Sequence, residues 1–472
     1  SVDGGTIKLD GNYPTGTGNV ALGNAALDDG SLSGNNNVAV GSAALTANTT
    51  GANNIAVGYA LPANTSGGNN TSIGFATLEA NNTASNNTAI GYAALNQNTT
   101  GYSNVAVGAS SLDANTTGLS NTALGAFSLS ANTTAANNTG LGFAALLTNS
   151  TGTANTAVGT DALRANTTGA GLTAVGRSAL LLNTTGYSNV AVGDYALDAN
   201  TTGHWNVGIG TFSLSQNTTR NSNTAVGNDT LASSTSGEQN TAIGYQSARQ
   251  LTTGSSNVSV GMASLDSNTT GHSNTALGRS AGAAQTTGSL NTYVGHSAGS
   301  THNVGNYSIF IGYSSQPSSA GANEIVIGAN ATGKGNNTGY IYPPGGGNMY
   351  QASNLTTWST VSDERIKKNI EDNNVGLNAI NQIRVRNFEY RTEDEIVDFD
   401  NPSSAVVNKE GIQLGVIAQE IETILPEIIT TESTGVKTVN TDNLTWYLVN
   451  AVKELSTTVD ELKSELLALK GE

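Results

Sequence analysis

The chain lacks cysteine and has few large side chains for its length. Its 472 residues include no Cys, 7 Pro, 7 Phe and 3 Trp. Without Cys, a disulfide framework and a thiolate metal site are both excluded. The scarcity of aromatic residues excludes large conventional cores. No run of 18 apolar residues occurs, so we expect no membrane insertion.

Positive charge is also scarce. The 18 Lys and Arg residues face 34 Asp and Glu residues, which gives a net charge of -16. A phosphate-binding surface needs a basic footprint, so we expect no nucleic-acid partner. Residues 1–350 hold 7 basic and 13 acidic residues, whereas the shorter remainder holds 11 and 21. This change in charge density predicts a domain boundary near residue 350.

A glycine recurs at a fixed interval along most of the chain. From Gly74 to Gly312 it returns in fourteen steps of 17 residues. The unit reads Asn-[Thr/Val]-Ala-[Val/Ile/Leu]-Gly-x-x-[Ala/Ser]-Leu-x-x-Asn-Thr-Thr-Gly-x-x, and residues 104–118 show it clearly. A fixed period of this length predicts a mainly β solenoid of stacked turns over residues 19–330, after a lead-in at 1–18.

The two halves of the unit have different expected conformations. The first half is a short strand of β-branched residues, and the second supplies a core leucine such as Leu95 or Leu129. Asn-Thr-Thr-Gly predicts a turn in which Gly or Asn takes a positive φ. Two or three buried aliphatic side chains contribute about 1.5–3 kcal/mol each, whereas ordering each backbone unit costs about 1–2 kcal/mol. Only stacked units can therefore fold.

The Asn-x-Ala-[Val/Ile]-Gly signature resembles the β-roll heads of trimeric autotransporter adhesins, whose unit is somewhat shorter. The resemblance covers about two-thirds of the chain. It implies parallel β-rungs and three chains side by side. The membrane anchor of that family has no counterpart in this sequence, so we expect a different class of trimeric protein.

Several polar residues of the repeats could carry chemistry, but each has a simpler explanation. The Asn-x-Thr sequons have a fixed place that turn geometry explains without glycosylation. His204, His272, His296 and His302 lack an accompanying carboxylate or Cys cluster, so we expect solvated or stacked rings rather than a metal site.

Acidic and aromatic residues of the repeats raise the question of glycan chemistry. A glycosidase requires two carboxylates across a groove, and the sequence does not pair the scattered acids Asp113, Asp161, Asp194 and Asp229. The aromatic residues Tyr102, Tyr187, His204 and Trp205 follow the Asn-Thr-Thr-Gly turn and are expected to point outward. They could contact a glycan receptor or simply pack on the turn.

Regular repetition ends before the C-terminal module. Residues 331–361 include Tyr342-Pro343-Pro344-Gly345, which predicts a cap or transition. Ser362 with Asp363 and Glu364 reads, by itself, as a helix N-cap with acids in the first turn.

The C-terminal residues 362–472 resemble the intramolecular chaperone and auto-processing domain of phage endosialidase tailspikes and long tail fibres. The domain also occurs in a myelin regulatory transcription factor. Order and spacing agree over nearly the whole module, which is expected to be a small α+β domain. The matching segments begin with Ser362-Asp363-Glu364-Arg365-Ile366-Lys367-Lys368-Asn369-Ile370 and Phe388-Glu389-Tyr390, and continue with Gly415-Val416-Ile417-Ala418-Gln419-Glu420-Ile421, Leu425-Pro426-Glu427 and Ala451-Val452-Lys453-Glu454-Leu455.

The resemblance implies a Ser-Lys dyad for a single self-cleavage, with Ser362 as nucleophile and Lys367 as general base. The implied scissile bond is Ser362–Asp363, although the sequence leaves Val361–Ser362 open. A serine hydroxyl needs a base to attack a carbonyl, and a neutral lysine can serve. Burial or a cationic neighbour, such as Arg365, favours the neutral form. We expect neither a metal nor a cofactor.

The last helix, expected over residues 444–470, carries a coiled-coil seam. Its apolar residues alternate in steps of four and three: Leu448, Val452, Leu455, Val459, Leu462, Leu466 and Leu469. The alternative is an amphipathic helix that packs on its own domain. Three strands are implied by both resemblances.

These observations predict a homotrimeric phage tail fibre or tailspike for host attachment, whose C-terminal domain drives trimerisation and then releases itself at Ser362. The expected partners are a host cell-surface receptor, in particular a glycan, and other tail proteins on the N-terminal side. Its expected location is the virion tail, after folding in the host cytoplasm. The alternatives are a trimeric bacterial surface adhesin and a glycan-degrading tailspike.

Overall fold

The computed structural model describes residues 16–318, 322–343, 349–351, 364, 367–396, 407, 409–431 and 435–471. The chain divides into two compact units, Ser1–Val361 and Ser362–Glu472. Among the described residues, no helix is long and apolar enough to cross a membrane.

The first unit is built on a single 21-stranded sheet of three-residue strands. The strands are β1 Val20–Leu22, β2 Val38–Val40, β3 Ile55–Val57, β4 Thr71–Ile73, β5 Thr88–Ile90, β6 Val105–Val107, β7 Thr122–Leu124, β8 Thr139–Leu141, β9 Thr156–Val158, β10 Thr173–Val175, β11 Val190–Val192, β12 Val207–Ile209, β13 Thr224–Val226, β14 Thr241–Ile243, β15 Val258–Val260, β16 Thr275–Leu277, β17 Thr292–Val294, β18 Ile309–Ile311, β19 Ile325–Ile327, β20 Gly339–Ile341 and β21 Met349–Gln351.

Each strand from β1 to β19 pairs in parallel with the next strand in sequence, as the Thr88↔Val105 and Ala89↔Ala106 partners show for β5 and β6. The result is a 19-turn parallel β-solenoid, which confirms the predicted fold class. The parallel ladder runs past residue 330 to β20. Strand β21 then pairs antiparallel with β20 and changes the direction of the chain.

The interior of each turn combines small, aliphatic and amide side chains. In the turn that begins at residue 87, Asn87, Ala89, Ala94, Leu95 and Asn98 are all fully buried. The strand contributes only its central alanine to the interior, because its first and third residues point to the opposite face. Leucine supplies most of the apolar volume, as predicted. The burial of the two asparagines was not predicted, and the sequence pattern had assigned Asn98 to a turn.

The buried asparagines form two ladders along the solenoid. In one ladder the Asn115 Nδ2 donates to Asn98 Oδ1 at 2.8 Å and to the Gly118 carbonyl. In the other, the Asn104 backbone N–H donates to Asn87 Oδ1 at 2.9 Å, and the Asn104 Nδ2 donates to the same Gly118 carbonyl. Side-chain amides thus satisfy backbone carbonyls that would otherwise be buried without a partner.

The prediction that Gly or Asn of Asn-Thr-Thr-Gly takes a positive φ is wrong. Left-handed backbone instead occurs at residues such as Asn86, Ala93 and Leu95, with φ of 62°, 54° and 50°. The glycine of the motif is required by close stacking, because a Cβ at Gly101 would lie 2.3 Å from the Gly118 carbonyl oxygen.

Aromatic side chains replace this interior near the end of the ladder. Tyr293 and Phe310 are fully buried at strand centres, and their rings stack 5.8 Å apart. Glycine stands where leucine would be, because a Cβ at Gly299 would lie 2.3 Å from the Tyr293 ring. Buried His302 forms a 2.7 Å hydrogen bond between its Nδ1 and the Tyr293 hydroxyl.

The second unit is a small α+β module with a long C-terminal helix. Its elements are α1 Leu377–Gln382, β22 Arg386–Phe388, β23 Gln413–Gly415, α2 Ala418–Glu422, β24 Ile429–Thr431, β25 Lys437–Val439 and α3 Thr441–Lys470, with 3-10 turns at Glu393–Glu395 and Pro426–Ile428. The pairs β22–β23 and β24–β25 are antiparallel. Asn440 caps α3, and Gly471 ends it in the left-handed conformation.

Candidate functional site

Of the two residues of the predicted dyad, the structure describes only Lys367. Ser362, Asp363 and Arg365 lie outside the described residues. Lys367 lies within them and is exposed, and its backbone N–H donates to the Glu364 carbonyl at 3.0 Å. In a single chain, the predicted base is therefore in contact with water rather than enclosed in an apolar site.

The segment that follows Lys367 is anchored to helix α3. The Asn450 Nδ2 donates to the Asn373 carbonyl at 2.7 Å and to the Val375 carbonyl at 3.3 Å. The Glu454 carboxylate accepts the Leu377 backbone N–H at 2.7 Å. That N–H belongs to the first turn of α1, where helical N–H groups have no intrahelical partner. The position of α3 therefore determines the position of residues 373–377, which begin six residues after the predicted base.

A compact apolar core holds α1, α2 and α3 together. Its buried members are Ala379, Ile421, Leu425, Ile428 and Tyr447. The Tyr447 hydroxyl donates to the Glu427 carboxylate at 2.5 Å, and this hydrogen bond raises the pKa of the tyrosine. Glu427 and Ile421 come from the segments that carry the family resemblance, so the fold brings two of those segments to the same helix.

A forked ion pair joins β22 to α2. The Arg386 Nη2 and Nε donate to the two Glu420 carboxylate oxygens at 2.5 Å and 3.2 Å. The hydrogen bond from Arg386 lowers the pKa of Glu420. A second ion pair connects Lys437 and Glu422. Sequence inspection missed the contacts of Arg386, Asn450 and Glu454, because their partners are 34 or more residues away in the chain.

Helix α3 presents two different faces. Tyr447 and Ala451 are buried, and Leu444 packs against the core of the module. The residues of the predicted seam remain outside it, and each is at least 39 % exposed: Leu448, Val452, Leu455, Val459, Leu462, Leu466 and Leu469. Packing on the module therefore accounts for one face of α3, whereas the described residues leave the regular apolar seam exposed.

The aromatic side chains that follow the turn are exposed as expected, whereas the prediction of a solvated or stacked ring is wrong for His302, which is buried and hydrogen-bonded to Tyr293. Tyr102, Tyr187 and Trp205 are 49 %, 40 % and 56 % exposed. His204 stacks on Tyr187. The asparagines that open the Asn-Thr-Thr sequons are buried in the ladder, which makes them inaccessible to glycosylation in the folded shaft.

The carboxylates of the shaft are dispersed. Asp161 pairs with Arg164, and Asp194 pairs with Arg177. Burial raises the pKa of Asp113 and of Asp198. These two equivalent positions are five turns apart, or about 24 Å at the usual strand spacing. The carboxylates of a glycosidase lie about 5–10 Å apart, so this pair is not a glycosidase site.

Comparison with known proteins identifies the module but not the shaft. Residues 362–430 match the peptidase family model described as the chaperone of endosialidase. No curated protein and no solved structure matches the chain.

The combination of the two units supports one class of protein. A 19-turn β-solenoid followed by a chaperone-of-endosialidase domain supports a phage tail-fibre-like protein with a C-terminal chaperone. The peptidase family further implies that this chaperone is of the self-cleaving kind.

Proposed function

We propose that this protein is a homotrimeric host-attachment fibre of a phage tail, and that its C-terminal module assembles three copies and then cuts itself off at Ser362. The observation that carries the proposal is that two independent domain boundaries agree. The family match begins at residue 362, and the second compact unit begins at Ser362. On this proposal the released fibre belongs to the virion tail, joins other tail proteins on its N-terminal side and binds a glycan receptor.

The exposed seam of α3 supports self-association. Apolar residues that alternate in steps of four and three along a helix pack into a partner helix. Leu455 and Leu462, for example, are 50 % and 58 % exposed in the single chain. Burial of such side chains between copies supplies about 1.5–3 kcal/mol for each large residue.

The solenoid offers a second apolar surface for the same assembly. The third residue of every strand from β1 to β20 is Val, Ile or Leu, and none of these side chains is buried. Leu124 and Leu277 are 44 % and 50 % exposed. The resulting stripe is about 90 Å long at the usual strand spacing. An apolar stripe of this length indicates an interaction surface, and a second and third copy of the same ladder match it in length and repeat.

Assembly before cleavage has a physical rationale. A lysine acts as a base only when neutral, and burial favours the neutral form. Lys367 is exposed in the single chain. Helix α3 holds residues 373–377 through Asn450 and Glu454. Association of three α3 helices would therefore also fix the position of this segment, which follows Lys367. We therefore propose that trimerisation encloses Lys367 and starts the reaction.

The proposed reaction cleaves the Ser362–Asp363 bond. Attack by Ser362 on its own carbonyl would close a four-membered ring, so this bond requires the Ser362 hydroxyl of a neighbouring copy. Lys367 removes the hydroxyl proton, and a C–O bond forms as the C–N bond breaks. The proton passes to the Asp363 nitrogen, and water then hydrolyses the ester. Attack on the Val361 carbonyl closes a five-membered ring within one chain and is the competing reaction.

Intact mass of the freshly expressed chain tests the proposal. Wild type should give two fragments that meet after Ser362, whereas Ser362→Ala and Lys367→Met should stay whole. Fragments that meet before Ser362 differ by the mass of one serine residue and would assign the cut to the Val361 carbonyl. An uncut, trimeric wild type would mean that the module is a permanent clamp and that the catalytic assignment is wrong.

A further inference from the structure

Two departures from the repeat lie side by side on the shaft. Trp205 stands where neighbouring turns have Ser188 and Ser222, and Arg220 stands where the Asn-Thr-Thr-Gly motif has Gly203. Both side chains are exposed, so these substitutions change the outer surface of the shaft.

Trp205 has the backbone conformation that the ladder repeats at this position. Its φ of 59° is left-handed, as it is for Ser188 and Ser222 in the neighbouring turns and for the bulky Tyr307 further along the shaft. The indole is 56 % exposed. The position therefore directs a large aromatic side chain towards solvent instead of packing it in the shaft.

The three aromatic rings form an angled surface. The Tyr187 and His204 rings stack with centroids 4.6 Å apart and planes within 7°. The Trp205 ring stands edge-on to both, at 5.8 Å and 87° from Tyr187 and at 4.5 Å and 83° from His204. Large aromatic surfaces left open to solvent are typical of interaction sites.

The residues next to these rings have small side chains on one side and polar side chains on the other. In the turn before Tyr187 the corresponding residues are Ala170 and Gly171, and a Cβ added at Gly171 would come no closer than 3.7 Å to its nearest neighbour, the Ser188 hydroxyl. In the turns after His204 the same column continues with Asn221 and Glu238. The aromatic cluster is therefore bordered on one side by the small residues Ala170 and Gly171. On the other side it is bordered by a polar rim, formed by Arg220, Asn221 and Glu238, that can form hydrogen bonds.

The rim carries charge that is already balanced. The Arg220 Nη1 lies 3.4 Å from a Glu238 carboxylate oxygen, and both side chains are partly exposed. The Asn221 Oδ1 accepts the His204 backbone N–H at 2.9 Å, which leaves its amide nitrogen as a donor. Because Glu238 neutralises Arg220 and the chain has a net charge of -16, an anionic ligand gains little here.

We infer that Tyr187, His204 and Trp205 form a binding site for a neutral oligosaccharide. The C–H face of a sugar ring is apolar and electropositive, and it complements the electron-rich face of an aromatic ring. Sugar hydroxyls are donors and acceptors, and they complement the amide, guanidinium and carboxylate groups of the rim. The five turns from Ala170 to Glu238 span about 20 Å, the length of a short oligosaccharide. This site rests on the proposed function and specifies where the fibre binds its glycan receptor.

Fluorescence of Trp205 in the full chain tests the site. Trp358→Phe with Trp446→Phe leaves Trp205 as the single indole. We expect a saturable change in its emission with at least one of a panel of neutral gluco-, manno- and galacto-oligosaccharides, and no change with oligosialic acid or choline. Binding measured by calorimetry with that oligosaccharide should weaken at least tenfold in Trp205→Ala. Tyr102→Ala is the matched control, because Tyr102 occupies the same column but has Leu119 in the next turn.

Three outcomes would overturn the inference. The first is that no oligosaccharide of the panel changes the emission of Trp205, and the second is that only choline or oligosialic acid changes it. The third is that acrylamide cannot quench the Trp205 emission in the assembled protein, which would mean that another copy covers the indole. Binding of the fibre to a panel of bacterial strains separates this site from the proposed function. If wild type and Trp205→Ala bind cells equally, the site is wrong and host attachment stands. If neither binds any strain, the proposed attachment function fails.

Discussion

The shaft and the C-terminal module solve the problem of stability in opposite ways. The shaft repeats one interior layer of Ala, Leu and two Asn, so each turn is stabilised by neighbours of the same kind. The module has a small core that no other part of the described chain repeats, and long-range polar contacts such as Leu377–Glu454 position its helices. It also leaves the apolar seam of α3 exposed.

This difference explains why a repetitive shaft benefits from a unique module. Pairing register is weakly specified where successive strands look alike, and long-range β pairing is slow and prone to aggregation. On the proposed function, a module with a unique core and a helical seam aligns three chains before their shafts pair. Its proposed release would then leave a fibre that unfolded chains could not easily rebuild, which is kinetic stability.

The largest effect is expected from the shaft interior. Leu129→Ala removes a fully buried side chain and leaves a cavity between stacked turns. We expect a loss of about 2–5 kcal/mol in the free energy of unfolding, measured by denaturant unfolding of the shaft with circular dichroism. The matched change Leu462→Ala, in the exposed seam, should leave the shaft unchanged and weaken trimerisation measured by light scattering. Equal loss of shaft stability in both variants would contradict the contrast between the two regions.

A smaller effect is expected from the asparagine ladder. Asn115→Ala removes the donor to Asn98 Oδ1 and the acceptor of the Asn132 Nδ2. Buried polar groups without a partner cost about 1–3 kcal/mol each, so we expect a loss of about 2 kcal/mol in the same unfolding measurement. Thr117→Ala, on the exposed surface of the same turn, should change stability by less than about 0.5 kcal/mol. An Asn115→Ala shaft as stable as this control would show that the ladder is not stabilising.

Within the module, the contact between α3 and α1 should have a local effect. Glu454→Gln replaces a charged acceptor of the Leu377 N–H by a neutral one, which weakens the cap by about 1 kcal/mol. Hydrogen exchange of residues 375–383 in uncut Ser362→Ala chains should become faster, and self-cleavage of the otherwise wild-type chain should slow. Glu461→Gln, at an exposed position of α3, should change neither quantity. Normal cleavage in Glu454→Gln would show that the contact between α3 and α1 does not control when the reaction starts.

The smallest effect is expected from the Arg386–Glu420 pair, and it depends on pH. The pKa of Glu420 is lowered in the folded module, so its contribution is complete above the pKa of an unfolded glutamate, about 4.3. The contribution is lost as the pH falls through the lower folded value. The midpoint of thermal unfolding of the module should therefore fall more steeply below pH 4 in wild type than in Glu420→Gln. Parallel pH profiles would mean that the pair contributes nothing to stability.

The sequence alone predicted a large part of this molecule. The 17-residue period predicted a parallel solenoid because only identical stacked turns can bury such a unit, and the leucine spacing after residue 444 predicted the terminal helix. The motif segments identified the chaperone module. The roles of Ser362 and Lys367 came from the resemblance and stay predictions. Local pattern was sufficient for the elements because repetition sets their period and their neighbours.

Tertiary structure decided the features that depend on distance across turns. Asn98 and Leu95 looked like a turn residue and a core residue of ordinary conformation, yet the amide is buried and the leucine is left-handed. The hydrogen-bond partner of Asn98 in the following turn lies 17 residues away, and that of Glu454 lies 77 residues away. Trp205 became informative only when its edge-on neighbours Tyr187 and His204 were known. A residue's identity limits the bonds it can form, but stacking of the turns and docking of the helices select which of them form.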